Sequence, residues 1–137
     1  MIKRSAILLL GLGWILGCAT GPKPGTKVTV DMLGGKTVDE QNYLLARKVK
    51  VGEIKHRQAG GLNQAQIELI SQTDNVVALE VKGSWYDEKG FAISDPKELW
   101  RLIIMNPREY KAITFTAPHQ NAVKLELTAR EGNLEGK

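Results

Sequence analysis

The chain has 137 residues, 19 of them Lys or Arg and 15 Asp or Glu, for a net charge of +4. That length accommodates one small domain and excludes two. Lys3 and Arg4 belong to a leader segment; without those two, 17 basic residues face 15 acidic ones, so the folded part is only +2. A balance that even gives no electrostatic case for a nucleic-acid partner. A single cysteine excludes an intramolecular disulfide, so an apolar core must hold the fold together.

Residues 1–17 predict a signal peptide. Lys3 and Arg4 form its basic start, and Ile7 to Leu16 form an apolar run too short to span a bilayer unaided. The run closes on Ile15-Leu16-Gly17-Cys18, a small residue followed by the cysteine. This resembles the lipobox of bacterial lipoproteins, and the resemblance implies removal of residues 1–17 and acylation of the Cys18 thiol. Membrane attachment would then run through acylated Cys18. Each buried methylene contributes about 0.8 kcal/mol, so two or three acyl chains anchor effectively permanently. Ala19 in place of Asp points, by the same likeness, to the periplasmic face of the outer membrane.

Residues 18–41 read as the lipidated cysteine and a tether, with room for a short strand. Ala19 to Lys27 holds two prolines and two glycines, a flexible composition. Val28 and Val30 alternate before Gly34-Gly35 breaks the pattern, which leaves a longer tether and a short strand both open. From residue 42 the period is two. Val49 and Val51 alternate with Lys48 and Lys50, and Ala65, Ile67 and Leu69 alternate with polar neighbours. Val77 to Tyr86 is the best strand, with Val77, Leu79, Val81 and Trp85 on one face and Glu80, Lys82 and Ser84 on the other. Asp87 to Gly90 predicts a tight turn with a positive φ at Gly90. Leu99 to Met105 is apolar on both parities, which fits a strand covered on two sides or a short helix after Pro96. Ile113 and Phe115 share a face, as do Val123, Leu125 and Leu127.

Six strands separated by turn signals, without a helix of ten residues, predict an all-β fold: an immunoglobulin-like antiparallel β-sandwich over residues 42–130, followed by a C-terminal tail, 131–137. Trp85, Leu79, Val81, Ile67, Phe115 and Leu125 are the predicted core.

The run VVALEVKGSWYDEKGFAI, the Trp100-centred segment and ITFTAPHQNAVKLELTAR resemble the YcfL-like family of periplasmic lipoproteins across about residues 42–130. The Trp85 to Gly90 hairpin and Phe115-x-Ala117-Pro118 carry most of that likeness. The resemblance implies an immunoglobulin-type sandwich and brings no biochemical activity, cofactor or catalytic residue with it. Some members are encoded near a lipoprotein activator of peptidoglycan synthases.

The residues themselves predict no enzyme, no cofactor and no metal. His56 and His119 are the only histidines, and no metal-ligand spacing such as HExxH is present. Ser71, Ser84 and Ser94 lack a nucleophile-elbow context. Gly34-Gly35-Lys36 lacks the frame of a phosphate loop and reads as a turn. Asp87 and Glu88 could meet Asp95 or Glu98 as a carboxylate pair, although their turn contexts favour solvated loop charges. Two features could bind a partner. One is a basic cluster, Arg47, Lys48, Lys50, Lys55 and Arg57, which equally suits an edge strand protected by lysines. The other is an aromatic set around Tyr86, which parity turns away from Trp85. Tyr86, Lys48 and Lys50 are therefore the candidate contacts for an envelope protein. The sequence points to a non-enzymatic, lipid-anchored binding or adaptor protein of the cell envelope, with a peptidoglycan-directed carbohydrate-binding domain or small hydrolase as the alternative.

Overall fold

The computed structural model describes residues 25–40 and 43–134; the predicted signal peptide, Cys18, the start of the tether and the last three residues of the tail lie outside them. Two antiparallel sheets face each other. The larger contains β1 (Thr26–Asp31), β2 (Lys36–Glu40), β5 (Val77–Tyr86), β6 (Ala92–Ile93), β7 (Arg101–Met105) and β9 (Lys124–Glu131). Its order is β2-β1-β9-β5-β6, with β7 also paired to β5. The smaller contains β3 (Val49–Ala59), β4 (Leu62–Ser71) and β8 (Tyr110–Thr116), in the order β3-β4-β8. One short helix, α1 (Tyr43–Lys48), precedes β3.

Strict alternation makes these strands amphipathic. Along β5 every second residue from Val77 to Trp85 is buried, and β9 buries Leu125, Leu127 and Ala129 in the same rhythm. Ile67 and Leu69 of β4 and Ile113 and Phe115 of β8 meet them from the opposite sheet. All six predicted core residues are buried, and Trp85, 2 % exposed, is the largest fully buried side chain. Removing a side chain of that size from water stabilises the fold by roughly 3 kcal/mol or less.

Residues 26–40 belong to the sandwich, and the domain therefore begins well before residue 42. Val28 and Val30 point into the core and lie opposite Leu127 and Leu125 of β9. The strand alternative for this segment is the one realised, because β9 offers β1 both a hydrogen-bonding edge and an apolar face. β2 has all five residues exposed, which is why no periodicity marks it. Leu45 of α1, 1 % exposed, packs into the core among Val28, Val49, Leu79 and Leu127. Lys48 ends that helix instead of opening a strand. Of the segment Leu99 to Met105, Arg101–Met105 forms β7, a strand covered on one side only: Leu102 and Ile104 are 48 % and 46 % exposed.

The turns follow local chemistry. Gly90 takes φ +88°, as its position in the turn demands. Asp87 Oδ1 accepts the N–H groups of Lys89 and Phe91, both at 2.9 Å, so its carboxylate organises the β5–β6 connection. Gly34-Gly35 lies in a plain turn in which the Gly34 N–H donates to the Asp31 carbonyl.

Candidate functional site

The residues proposed from sequence as partner contacts fall at opposite ends of the sandwich. Lys48 pairs with Glu131 at 3.6 Å, and Glu131 lies opposite Leu79 on β5. Lys50, exposed on β3, lies opposite Ile70 at the same end. Tyr86 is seven residues further along β5 from Leu79, about 23 Å at strand spacing. These three side chains form no common surface.

Tyr86 is half-buried on the outer face of the larger sheet. Burial, followed by the negative charges of Glu126 and Glu98, raises its phenol above the ordinary value, partly offset by Lys27. Glu126 is itself paired with Lys27 at 3.5 Å. Glu98 and Trp100 reach onto this outer face: the Ser84 hydroxyl donates to Glu98, and Trp100 lies against the Arg130 guanidinium at 3.7 Å and near the Lys82 ammonium at 5.1 Å. Arg130 also bonds Glu80 at 2.8 Å.

Of the four carboxylates considered for hydrolytic chemistry, Glu88 is exposed and the other three have other work. Asp87 holds its turn, Asp95 Oδ1 accepts the Lys97 N–H at 2.8 Å, and Glu98 takes the Ser84 hydroxyl. Asp74 is held below the usual carboxylate range by Arg108, through a hydrogen bond and charge, but both side chains are solvent-exposed and form a surface pair 3.0 Å apart. His56 is exposed on β3, and His119 Nδ1 accepts the Asn121 N–H in a loop. Among the described residues no group of three or more His, Cys, Asp or Glu is arranged to hold a metal ion. The basic cluster is split as well: β3, which carries Lys50, Lys55 and Arg57, is an edge strand of the smaller sheet.

A different feature offers a concave surface. A groove of about 800 Å³ runs between β8 and the 95–101 segment, with Gly83, Trp85 and Phe115 at its base. Leu99, 65 % exposed, stands on one wall and Thr114 to Pro118 form the other. The Arg101 guanidinium lies over the Phe115 ring, 4.6 Å from its centroid. Sequence reasoning assigned Trp85 and Phe115 to the core, correctly, and had no signal for Arg101 or Gly83, because the groove forms only where the edges of two sheets meet.

Fold and site together define a two-sheet antiparallel β-sandwich with a side groove. The chain belongs to the family described as protein of unknown function (DUF1425), whose pattern matches residues 36–131. It is similar to the crystal structure of a DUF1425 family member from Shewanella sp. pv-4: 23% identity, 82% of this chain and 94% of that one covered, TM-score 0.58. That likeness is one of fold. The crystal structure of Campylobacter jejuni cj0090 aligns over 60% of this chain and 85% of its own at 17% identity, with a TM-score of 0.49, too low to support an argument. No curated protein matches the sequence.

Proposed function

We propose that this protein is a lipid-anchored sandwich of the bacterial envelope, of the YcfL-like kind, that acts by binding another envelope component and not by catalysis. The observation that carries this reading is the lipobox-like Ile15-Leu16-Gly17-Cys18 placed just ahead of a sandwich whose first strand starts at Thr26. Six residues separate Cys18 from Gly25, a reach of at most about 25 Å. The domain would therefore stay close to the periplasmic face of the outer membrane. Thr26 pairs with Ala129, near the end that carries Lys48 and its partner Glu131. Lys48 and Lys50 would accordingly sit nearer the headgroups, and the hairpin at Tyr86 and the mouth of the groove would point toward the periplasm.

The test is the mass and location of the mature chain expressed in a Gram-negative host. The expected result is a mature protein beginning at Cys18, heavier by its acyl groups, in the outer-membrane fraction. Cys18→Ser should release it or leave it unprocessed. An unacylated wild-type chain in the soluble fraction would overturn the proposal.

A further inference from the structure

The pairing of β5 is interrupted on one side only. β9 borders it from Leu79 to Tyr86, whereas on the other side β7 covers Val77 to Val81 and β6 covers Trp85 and Tyr86. Lys82 to Ser84 have no strand on that side. The reason is visible in the connection from β6 to β7: residues 94–100 bulge out from the sheet edge. Glu98 and Trp100 are turned onto the outer face and held there by Ser84 and Arg130, and Asp95, Lys97 and Leu99 are turned toward the groove. Backbone groups in an antiparallel strand point alternately to its two sides. The carbonyls of Ala78 and Tyr86 accept from Gly132 and Val123 on the β9 side. Gly83, of opposite parity, therefore directs its N–H and C=O into the gap. It is buried, and the gap opens onto the groove.

The groove adds charge to this free edge. Lys97 and Arg101 line it with one acid, Asp95, whose Oδ1 already accepts the Lys97 N–H. Neither Lys97 nor Arg101 is in a salt bridge among the described residues. Arg101, though exposed, is held over Phe115, so its guanidinium is presented above an apolar floor to an incoming carboxylate. Exposed Leu99 supplies an apolar contact beside it.

The geometry points to a peptide-binding groove: an extended, carboxylate-bearing segment of a partner protein pairs with β5 at Gly83, between β6 and β7, and places its carboxylate on Arg101. The gap from the residue opposite Trp85 to the residue opposite Val81 spans about 13 Å, room for three residues, of which only the one opposite Gly83 can hydrogen-bond to β5. The peptide thus meets the sheet at one point, a restricted form of strand addition, and lies along the groove against Phe115 and Leu99. This deepens the binding role proposed above and rests on it. Peptide affinity is measured without a membrane, so it can fail while the anchor assay succeeds, and the reverse.

The experiment uses the full chain in detergent micelles and a fluorescein-labelled short peptide alternating Val and Glu, followed by fluorescence anisotropy. The proposal expects this peptide to bind in preference to its Val–Lys counterpart. Arg101→Glu should weaken binding about tenfold. Leu99→Asp, on an exposed side chain that the fold does not need, should weaken it as well. Methylating the peptide's Glu nitrogens should also weaken it: opposite residues of an antiparallel pair share a face, so the residue that reaches Arg101 is the one opposite Gly83, and the Gly83 carbonyl then loses its donor. Lys50→Glu, at the opposite end, should leave affinity unchanged. Equal affinity for the acidic and basic peptides, or full affinity in both folded Arg101→Glu and Leu99→Asp, would overturn the proposal. So would self-association that competes with the peptide and disappears in Leu99→Asp, because the groove would then be a contact between two copies of this chain.

Discussion

Gly83 on β5 leaves the space in which the Phe115 ring of β8 lies: a β-carbon at Gly83 would stand 2.5 Å from Phe115 Cδ1 and 2.7 Å from Cε1. The two sheets approach closely here because one of the facing residues has no side chain. Gly83→Ala must displace the ring, at a cost of about 1–3 kcal/mol. Denaturant unfolding should record that loss, and the displaced ring should release the Arg101 guanidinium stacked on it.

Trp85 fills the centre of the same region. Trp85→Ala should be the most damaging single core truncation, about 3–5 kcal/mol, since the cavity it leaves spans both sheets. A loss of under 1 kcal/mol by chemical denaturation would mean that the indole does not hold the sheets together.

Both open sides of the sandwich are closed by a lysine from one sheet donating to an edge carbonyl of the other. Lys36 of β2 donates to the Ile54 carbonyl of β3, and Lys111 of β8 donates to the Ile104 carbonyl of β7 at 2.8 Å. Charged side chains on edge strands discourage pairing with other chains. The β7 edge needs this most, because Leu102 and Ile104 are exposed beside it. Lys111→Ala should therefore increase concentration-dependent association, measured by sedimentation velocity, while leaving the circular dichroism spectrum unchanged.

Tyr86 predicts a pH dependence with a definite sign. Its folded-state phenol titrates above its ordinary value near pH 10, so the folded chain retains a proton that the unfolded chain loses. The associated stability is fully present below about pH 10 and declines as pH rises through the folded value. Thermal unfolding of Tyr86→Phe across the alkaline range should lack this part of the decline, and the wild-type phenolate absorbance should appear late.

Val30 tests the place of β1. It is 0% exposed and lies opposite Leu125. Val30→Ala should cost about 1.5–3 kcal/mol. A tether residue would cost nothing.

What the sequence determined by itself is the local layer of this protein. Alternation from Val77 to Trp85 and at Leu125 and Leu127 set which side chains face inward, because the two faces of a strand are set by chain geometry alone; Val123, expected on the same face, lies just ahead of β9 and outside the core. Asp87 and Gly90 fixed their turn for the same reason, through a side-chain acceptor and a positive φ that few other residues permit. The lipobox-like run ending at Cys18 is a one-dimensional pattern of the same local kind, from which a leader is an expectation and part of the proposal. Tertiary structure alone decided which strands are neighbours. Val28 and Val30 are too short a pattern to distinguish strand from tether until β9 stands beside them, and β2 has no apolar pattern at all. The groove depends on β6 and β7 stopping short of each other along β5, and on β8 lying opposite the gap. Those are relations among main-chain edges distant in sequence, and side-chain patterning does not encode them.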